Sequence, residues 1–591
     1  MDNSSTPDRW SLTSWFTAFR APDYLAFKDD LARDIAAFQI PGDPVALPQA
    51  IAEFETLGTR YWHLTAFLGC LSADDANDEA VKADEAWSAT LDAECTKLRA
   101  ALQGALAALS EAAFSALLAA PVLAGAEHTV RQMRERGTRQ MRQEMEALAA
   151  DLGVDGISAW GRLYETLTGK FEFPMTFPDG HVESVPMARR RALMSEPDRA
   201  VREAAFRQGQ QPWHDHAVTL AAALNGIAGA RHTLYGRRGI PHFLEAPLQD
   251  ACMSRASLDA MLHAIHAHAE LPRRALRKAA QLQGTPALHF FDLEAPQIPA
   301  PDEKPLTWSE ACATVDRSYS AAYPALGAYF REMLAQQWIE AQARPGKRPG
   351  AFCTGSLLRK EERVYMTWHH TMHDMVTLAH EVGHAWHSCV LRPARPYAAD
   401  YPMTLAETAS NFGEMILLSG LLNDPSLTPQ MKSYLLDQEM LRASGYLLNI
   451  PMRYEFEQTF YEERRAGEVP VSRLRELMAA AQRKLYADTL LPDGADDMFW
   501  ASKMHFFITG VSFYNFPYVF GYLLSQALFA RFKTEGQSFL PAYEKFLAAT
   551  GSASCEEVAR QSLGADLTSP DFWSAGIRAL EPSLAAYEAL T

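Results

Sequence analysis

Apolar residues recur at three- and four-residue spacing along most of the chain, as in residues 25–38, 51–71 and 258–271. That period predicts a mainly helical protein. Residues 100–120 are rich in Ala and Leu, but they include Gln103, Ser110 and Glu111 and end at Pro121, so they predict a core helix and not a membrane one. Strand signals are few. Residues 171–177 and 181–185 flank Pro178-Asp179-Gly180, a tripeptide with turn geometry, and predict a hairpin. Two more β-prone runs, 350–354 and 364–368, surround a polar loop just ahead of a histidine-rich helical segment. A soft boundary near residue 170 divides an all-helical N-terminal region, 1–170, from a region, 171–591, that carries the strands and the chemical motifs.

One stretch challenges a soluble fold. Residues 506–530 contain no charge and are long enough to span a bilayer. Thr509, Ser512, Tyr514, Asn515, Pro517, Tyr518, Tyr522 and Gln526 would make a costly lipid-facing helix, so a buried, functional helix is expected instead. Composition agrees, since 591 residues at 48% hydrophobic content can bury a substantial core. The net charge of −17 argues against a dominant nucleic-acid surface. The arginines at 131, 134, 136, 139 and 142 are interleaved with acids, and Arg189-Arg190-Arg191 is followed by Glu196, as on a solvated helix face. Seven scattered cysteines without a C-x-x-C pair suggest neither a disulfide framework nor a thiolate metal site. The first twenty residues have no secretory pattern, which places the protein in the cytoplasm with no membrane or nucleic-acid partner.

The chemistry is concentrated in residues 377–387, where His380-Glu381-Val382-Gly383-His384 stands. On a helix His380 and His384 lie one turn apart, so both imidazoles project from one face and can hold a zinc ion. Glu381 follows the first ligand, where its carboxylate can reach the attacking water and serve as general base. A catalytic zinc takes three protein ligands, and the third must come from another element. Glu407, after a proline-containing connection, is the candidate. Glu414 lies two turns further on the same face and reads either as a group that fixes a ligand imidazole or as a solvent-exposed acid. Gly383 leaves one side of the first helix open to close approach, and Asp374 suits its positive start. His369, His370, His373 and His387 are expected outside the metal's reach.

A second candidate region runs from His505 to Tyr522. If helical, Tyr514, Tyr518 and Tyr522 present phenols along one side. Such spacing also fits an aromatic core stripe, but three hydroxyls beside a histidine in an uncharged segment favour function. Tyr518 and Tyr522, after Pro517 at an expected helix start, are preferred over Tyr514, which would lie on a loop.

These residues together resemble an oligoendopeptidase F-type member of the thimet oligopeptidase family of zinc metallopeptidases. The resemblance extends over residues 193–199, 238–245, 346–353, the zinc region and 513–522, most of the chain from about residue 160 onward. It implies a mainly α, two-lobed zincin-type body with a small β-sheet beside the active-site helix and a deep substrate channel. It places one Zn2+ on His380, His384 and Glu407, and the catalytic glutamate at Glu381. His505 matches the family's transition-state histidine, while Tyr514, Tyr518 and Tyr522 remain candidates for its tyrosine partners. Gly350, Ala351, Phe352 and Cys353 match the strand that lines the substrate cleft. The implied activity is hydrolysis of internal bonds in short, unstructured oligopeptides. An aminopeptidase or carboxypeptidase, or a non-catalytic peptide-binding protein, is the alternative, and the oligomeric state is not set by the sequence.

Overall fold

The structure, a computed structural model, describes residues 6–301 and 304–590. The helical periodicity translates into helices, with breaks where the backbone chemistry demands them. Residues 25–38 lie almost wholly in the helix Pro22–Ala37. Residues 258–271 divide between Arg255–Ala267 and Glu270–Leu282. Pro272 has no N–H to give the His268 carbonyl, so the first helix cannot run through it. Residues 100–120 divide likewise between Glu79–Ala107 and Glu111–Leu118, because Ser110 caps the second helix by accepting the Ala113 N–H at 3.3 Å.

The elements used below are, in chain order, α1 (Leu47–Asp74), β1 (Glu172–Thr176), β2 (Val182–Pro186), α2 (Ala217–Arg237), α3 (Trp308–Ala322), β3 (Ile339–Glu340), β4 (Phe352–Ser356), β5 (Glu361–Tyr365), α4 (Met372–Leu391), α5 (Met403–Asn423), α6 (Ile450–Arg464) and α7 (Phe516–Glu535). They belong to two units, each discontinuous in sequence. The first comprises Met1–Gln140, Glu303–Asn423 and Leu528–Ala565, the second Met141–Asp302, Asp424–Ala527 and Asp566–Thr591. Residue 170 therefore lies inside the second unit, and α7 runs across one of the divisions.

In the first unit, α1 contributes Leu64, Phe67 and Leu68 to a core with Trp15, Phe16 and Tyr24. A three-stranded sheet has the order β3-β5-β4, with β3 parallel and β4 antiparallel to β5. Phe352 pairs with Tyr365 and Cys353 with Val364. Both long strands sit a few residues nearer the intervening turn than the β-prone runs. Gly350, at φ +104°, turns the chain before β4 begins. Beneath this sheet lies α4, in contact with both β4 and β5.

The second unit contains the expected hairpin, with β1 and β2 antiparallel in the register Phe173↔Val185. Its turn places Gly180 at φ +89°, and the Gly180 N–H reaches the Phe177 carbonyl at 2.8 Å. The uncharged stretch 506–530 is not one helix. It opens in a 3-10 turn, Met504–Phe507, passes through a loop, and enters α7 only at Phe516. Among the described residues no helix is long and apolar enough to cross a membrane.

Candidate active site

The first unit builds its site on two helices that touch. Helix α4 starts at a reciprocal cap: the Thr371 hydroxyl accepts the Asp374 N–H at 3.1 Å, and the Asp374 carboxylate accepts the Thr371 N–H at 3.0 Å. Asp374 also accepts the His369 N–H at 2.9 Å, which fixes the entry of the chain. A Cβ at Gly383 would fall 2.5 Å from the Ala409 carbonyl oxygen and 2.6 Å from the Ser410 Cα. Only a glycine there lets α5 lie this close to α4. From α3, the buried Tyr319 hydroxyl donates to the Ala379 carbonyl at 2.8 Å and secures the same turn.

This contact brings three ligand atoms to one point. His380 Nε2 lies 3.2 Å from His384 Nε2 and 3.3 Å from Glu407 Oε2, and His384 Nε2 lies 3.6 Å from Glu407 Oε2. Ligands about 2.0–2.2 Å from a tetrahedral zinc stand about 3.3–3.5 Å apart, so the triangle has the size that a zinc ion requires. Among the described residues these three form the one group of metal-ligating side chains close enough to share an ion.

The surroundings orient each ligand. His380 Nδ1 meets Glu414 Oε1 at 2.5 Å, so the proton sits on Nδ1 and the Nε2 lone pair faces the centre. Burial, with His380 beside it, holds His384 well below the usual imidazole range, and its ring donates to the Ala406 carbonyl. Ser410 donates to Glu407 Oε2 at 2.9 Å. Glu381 is buried, and burial pushes its carboxyl up to about 7, with His380 lowering it and Glu407 raising it further. Cys353 on β4 lies near Glu381: burial first, then the Glu381 carboxylate, pushes its thiol well up. Of the four substrate-strand candidates, Phe352 and Cys353 are in β4 and Gly350 and Ala351 precede it. That strand is the sheet edge, and Trp62 Nε1 from α1 donates to its Gly355 carbonyl at 3.0 Å.

The remaining histidines of this region are elsewhere occupied. His369, His370 and His373 are exposed. His387 is fully buried, stacked on Tyr401 at 4.2 Å and hydrogen-bonded to Thr550 at 2.8 Å.

The second unit gathers His505, Tyr514 and Tyr518. The His505 ring stacks on Tyr514 at 5.6 Å and meets Tyr518 at 6.3 Å, and the two phenols lie edge to face at 5.0 Å. Burial, then Lys503, Arg453 and Arg191, push His505 down to about 4, so the imidazole is neutral and donates through one nitrogen. Tyr522 is set apart. It is 2% exposed, stacked on Tyr446 at 4.2 Å, and hydrogen-bonded to Gln526. Of the three tyrosines, Tyr514 and Tyr518 are the two placed beside His505, because the loop before α7 turns Tyr514 back onto it. Two contributors escaped the sequence reading. Ser410 stands three residues after Glu407, a helical neighbour that spacing could have shown, whereas nothing in the sequence points to Tyr319.

A mainly helical fold with paired histidines, an intervening glutamate and a third carboxylate from a second helix defines a metallopeptidase. Comparison with known proteins places it more closely. Peptidase family M3 matches residues 192–579, and Oligopeptidase F matches residues 106–173. Oligopeptidase PepF of Bacillus subtilis is 24% identical over 471 residues, 78% of this chain and 68% of that protein. An oligoendopeptidase F homolog of Lactococcus lactis is 27% identical over 401 residues, 68% of this chain and 65% of that protein. Among solved structures, a peptidase from Chlamydophila abortus has a TM-score of 0.85 at 20% identity, covering 100% of this chain and 99% of that one. Oligoendopeptidase-F from Enterococcus faecium has a TM-score of 0.70 at 18% identity, covering 96% and 97%. The chain belongs to peptidase family M3, a family of metallopeptidases, and resembles its oligoendopeptidase F members.

Proposed function

We propose that this protein is a zinc-dependent endopeptidase that cuts internal bonds of short, unstructured peptides. The observation that carries the proposal is the triangle of His380 Nε2, His384 Nε2 and Glu407 Oε2, with edges of 3.2 to 3.6 Å. His380, His384 and Glu407 would hold the zinc ion, which when bound would supply a Lewis acid for activating water and polarising the scissile carbonyl. Glu381, buried beside the first ligand, takes the proton of the attacking water and delivers it to the leaving amine. Glu414, Ser410 and the Ala406 carbonyl hold the ligands in the protonation state and orientation that binding needs. The family resemblance assigns His505, with Tyr514 and Tyr518, the donation of hydrogen bonds to the developing oxyanion. It also assigns Gly350, Ala351, Phe352 and Cys353 to the strand that lines the substrate cleft, where a strand edge can hold an extended peptide.

The endopeptidase reading is supported by the type to which the relatives belong, and the short-peptide reading by the channel the resemblance implies. All seven cysteines are free thiols, as suits a reducing cytoplasm. An internally quenched peptide blocked at both ends tests the activity. Cleavage that stops on chelation and returns with one equivalent of zinc is expected. Cleavage of free-ended peptides only would make the protein an exopeptidase, and binding without turnover would make it a peptide-binding protein.

A further inference from the structure

Residues 508–515 join the turn bearing His505 to helix α7, and they carry Tyr514. Their backbone is strained at Phe513, whose φ is +54°. A bulky residue in that region costs of order 1–3 kcal/mol and persists only where its surroundings dictate it. The Phe513 side chain is 1% exposed and stacks on Phe243 at 5.5 Å, with the rings 6° from parallel.

Two buried charges bind this loop from neighbouring helices. Arg231 on α2 donates from Nη2 to the carbonyls of Ile508 at 2.7 Å, Thr509 at 3.1 Å and Val511 at 2.6 Å, while Nη1 donates to the Tyr461 hydroxyl at 2.7 Å. Glu457 on α6 accepts the Phe513 N–H at 2.9 Å and the Asn515 side-chain amide at 2.7 Å. Asn515 in turn accepts the Phe516 N–H at 2.6 Å, so the orientation of its amide is settled and the start of α7 is tied to the same acid. Burying an arginine and a glutamate is costly, and a well-packed apolar pair of similar volume would serve a core at least as well. Here the hydrogen bonds of both charges are directed at the backbone and side chains of one short loop.

We infer that Arg231 and Glu457 form a brace whose purpose is to position Tyr514 against His505. This rests on the reading that Tyr514 acts in peptide hydrolysis. The two side chains grip the loop with opposite polarity: Arg231 takes carbonyls at its start, and Glu457 takes the Phe513 N–H and the Asn515 side-chain amide at its end. Between these grips the backbone of Tyr514 cannot shift without breaking a hydrogen bond to Arg231 or Glu457. Arg231 and Glu457 are both buried and act on Tyr514 through the loop, as positioning residues.

The test exploits the polarity of one hydrogen bond. In Glu457→Gln one carboxylate oxygen becomes an NH2, and it faces either the Phe513 N–H or the Asn515 NH2, donor against donor. Adding Asn515→Asp reverses the second bond: the new aspartate accepts from the glutamine amide and still accepts the Phe516 N–H. Amide hydrogen exchange over residues 508–516 reports the brace, and kcat, KM and bound zinc report its purpose. Glu457→Gln should speed exchange of this segment and lower kcat by about 10- to 100-fold with little change in KM or zinc, as for a catalytic group displaced by about an ångström. The double variant should restore both exchange and kcat. Unchanged exchange in Glu457→Gln overturns the brace, and so does failure of Asn515→Asp to restore a variant that still folds. Faster exchange with parental kcat, in an enzyme that Tyr514→Phe does impair, overturns the positioning role while leaving the catalytic reading intact. If Tyr514→Phe turns over like the parent, the reading itself falls and takes the positioning role with it, while exchange still shows whether the brace exists.

Discussion

The candidate metal centre of the first unit and the His505–Tyr514–Tyr518 cluster of the second solve the same problem, holding polar groups in a fixed geometry, by different means. At the metal centre the precision comes from regular backbone. Both histidines share one helix face, Glu407 is on a second helix, and Gly383 lets the two helices meet. Every carbonyl and N–H of those turns is already satisfied by the helix, so the side chains need only small corrections from Glu414 and Ser410. In the tyrosine cluster only Tyr518 has such a scaffold, on α7, since Tyr514 lies on a loop with a strained residue beside it. Its geometry has to be imposed by buried charges. The comparison teaches that a site on helices takes its geometry from the backbone, whereas a site on a loop takes it from the side chains that hold the loop.

The largest effect should come from the base. Glu381→Gln keeps the shape but cannot take a proton, and turnover should fall by about 10²–10⁴-fold with zinc content and melting temperature unchanged. Metal analysis beside single-turnover kinetics checks this; near-parental turnover at full zinc would remove Glu381 from its role. Next come the donors of the second unit. His505→Ala and Tyr518→Phe should each cost about 10²–10³ in kcat with KM and zinc little altered. Tyr522→Phe, whose hydroxyl is buried on Tyr446 and Gln526, should turn over like the parent. If Tyr522→Phe proved the more damaging variant, the division within the tyrosine row would be reversed.

A smaller effect separates holding a metal from orienting its ligand. Glu414→Ala should weaken zinc binding by about 10–100-fold, as for loss of a partner to a ligand imidazole, and Glu407→Ala should weaken it further. Titration against a competing chelator ranks the two, and a greater loss in Glu414→Ala would exchange their roles. The mildest change probes the helix contact itself. A methyl at position 383 would meet the Ala409 carbonyl, and Gly383→Ala should cost about 1–3 kcal/mol by pushing α4 and α5 apart. Thermal melts with and without zinc would show it; an undiminished melting temperature in both would mean that the close approach is not what sets the ligand spacing.

Much of this molecule was written locally in its chain. The His380–His384 spacing, the cap at Thr371 and Asp374, the Pro178-Asp179-Gly180 turn and the helical periodicity all act within a few residues, and local sterics and hydrogen bonding decide them. The family, too, was legible, because residues 192–579 keep its pattern. Other features could not be read in this way. The breaks at Ser110 and Pro272 change helix ends without changing the hydrophobic period, so periodicity passes over them. The two units each assemble from three separate stretches, an outcome of which surfaces bury one another and not of any composition shift near residue 170. Tyr514, Tyr518 and Tyr522 look equivalent at four-residue spacing. Only the positive φ of Phe513 and the grip of Arg231 and Glu457, from segments far away in sequence, turn Tyr514 toward His505 while α7 buries Tyr522. Spacing along one chain determines what can share a helix face; which hydroxyls meet an imidazole depends on long-range packing, and that exists only in the folded protein.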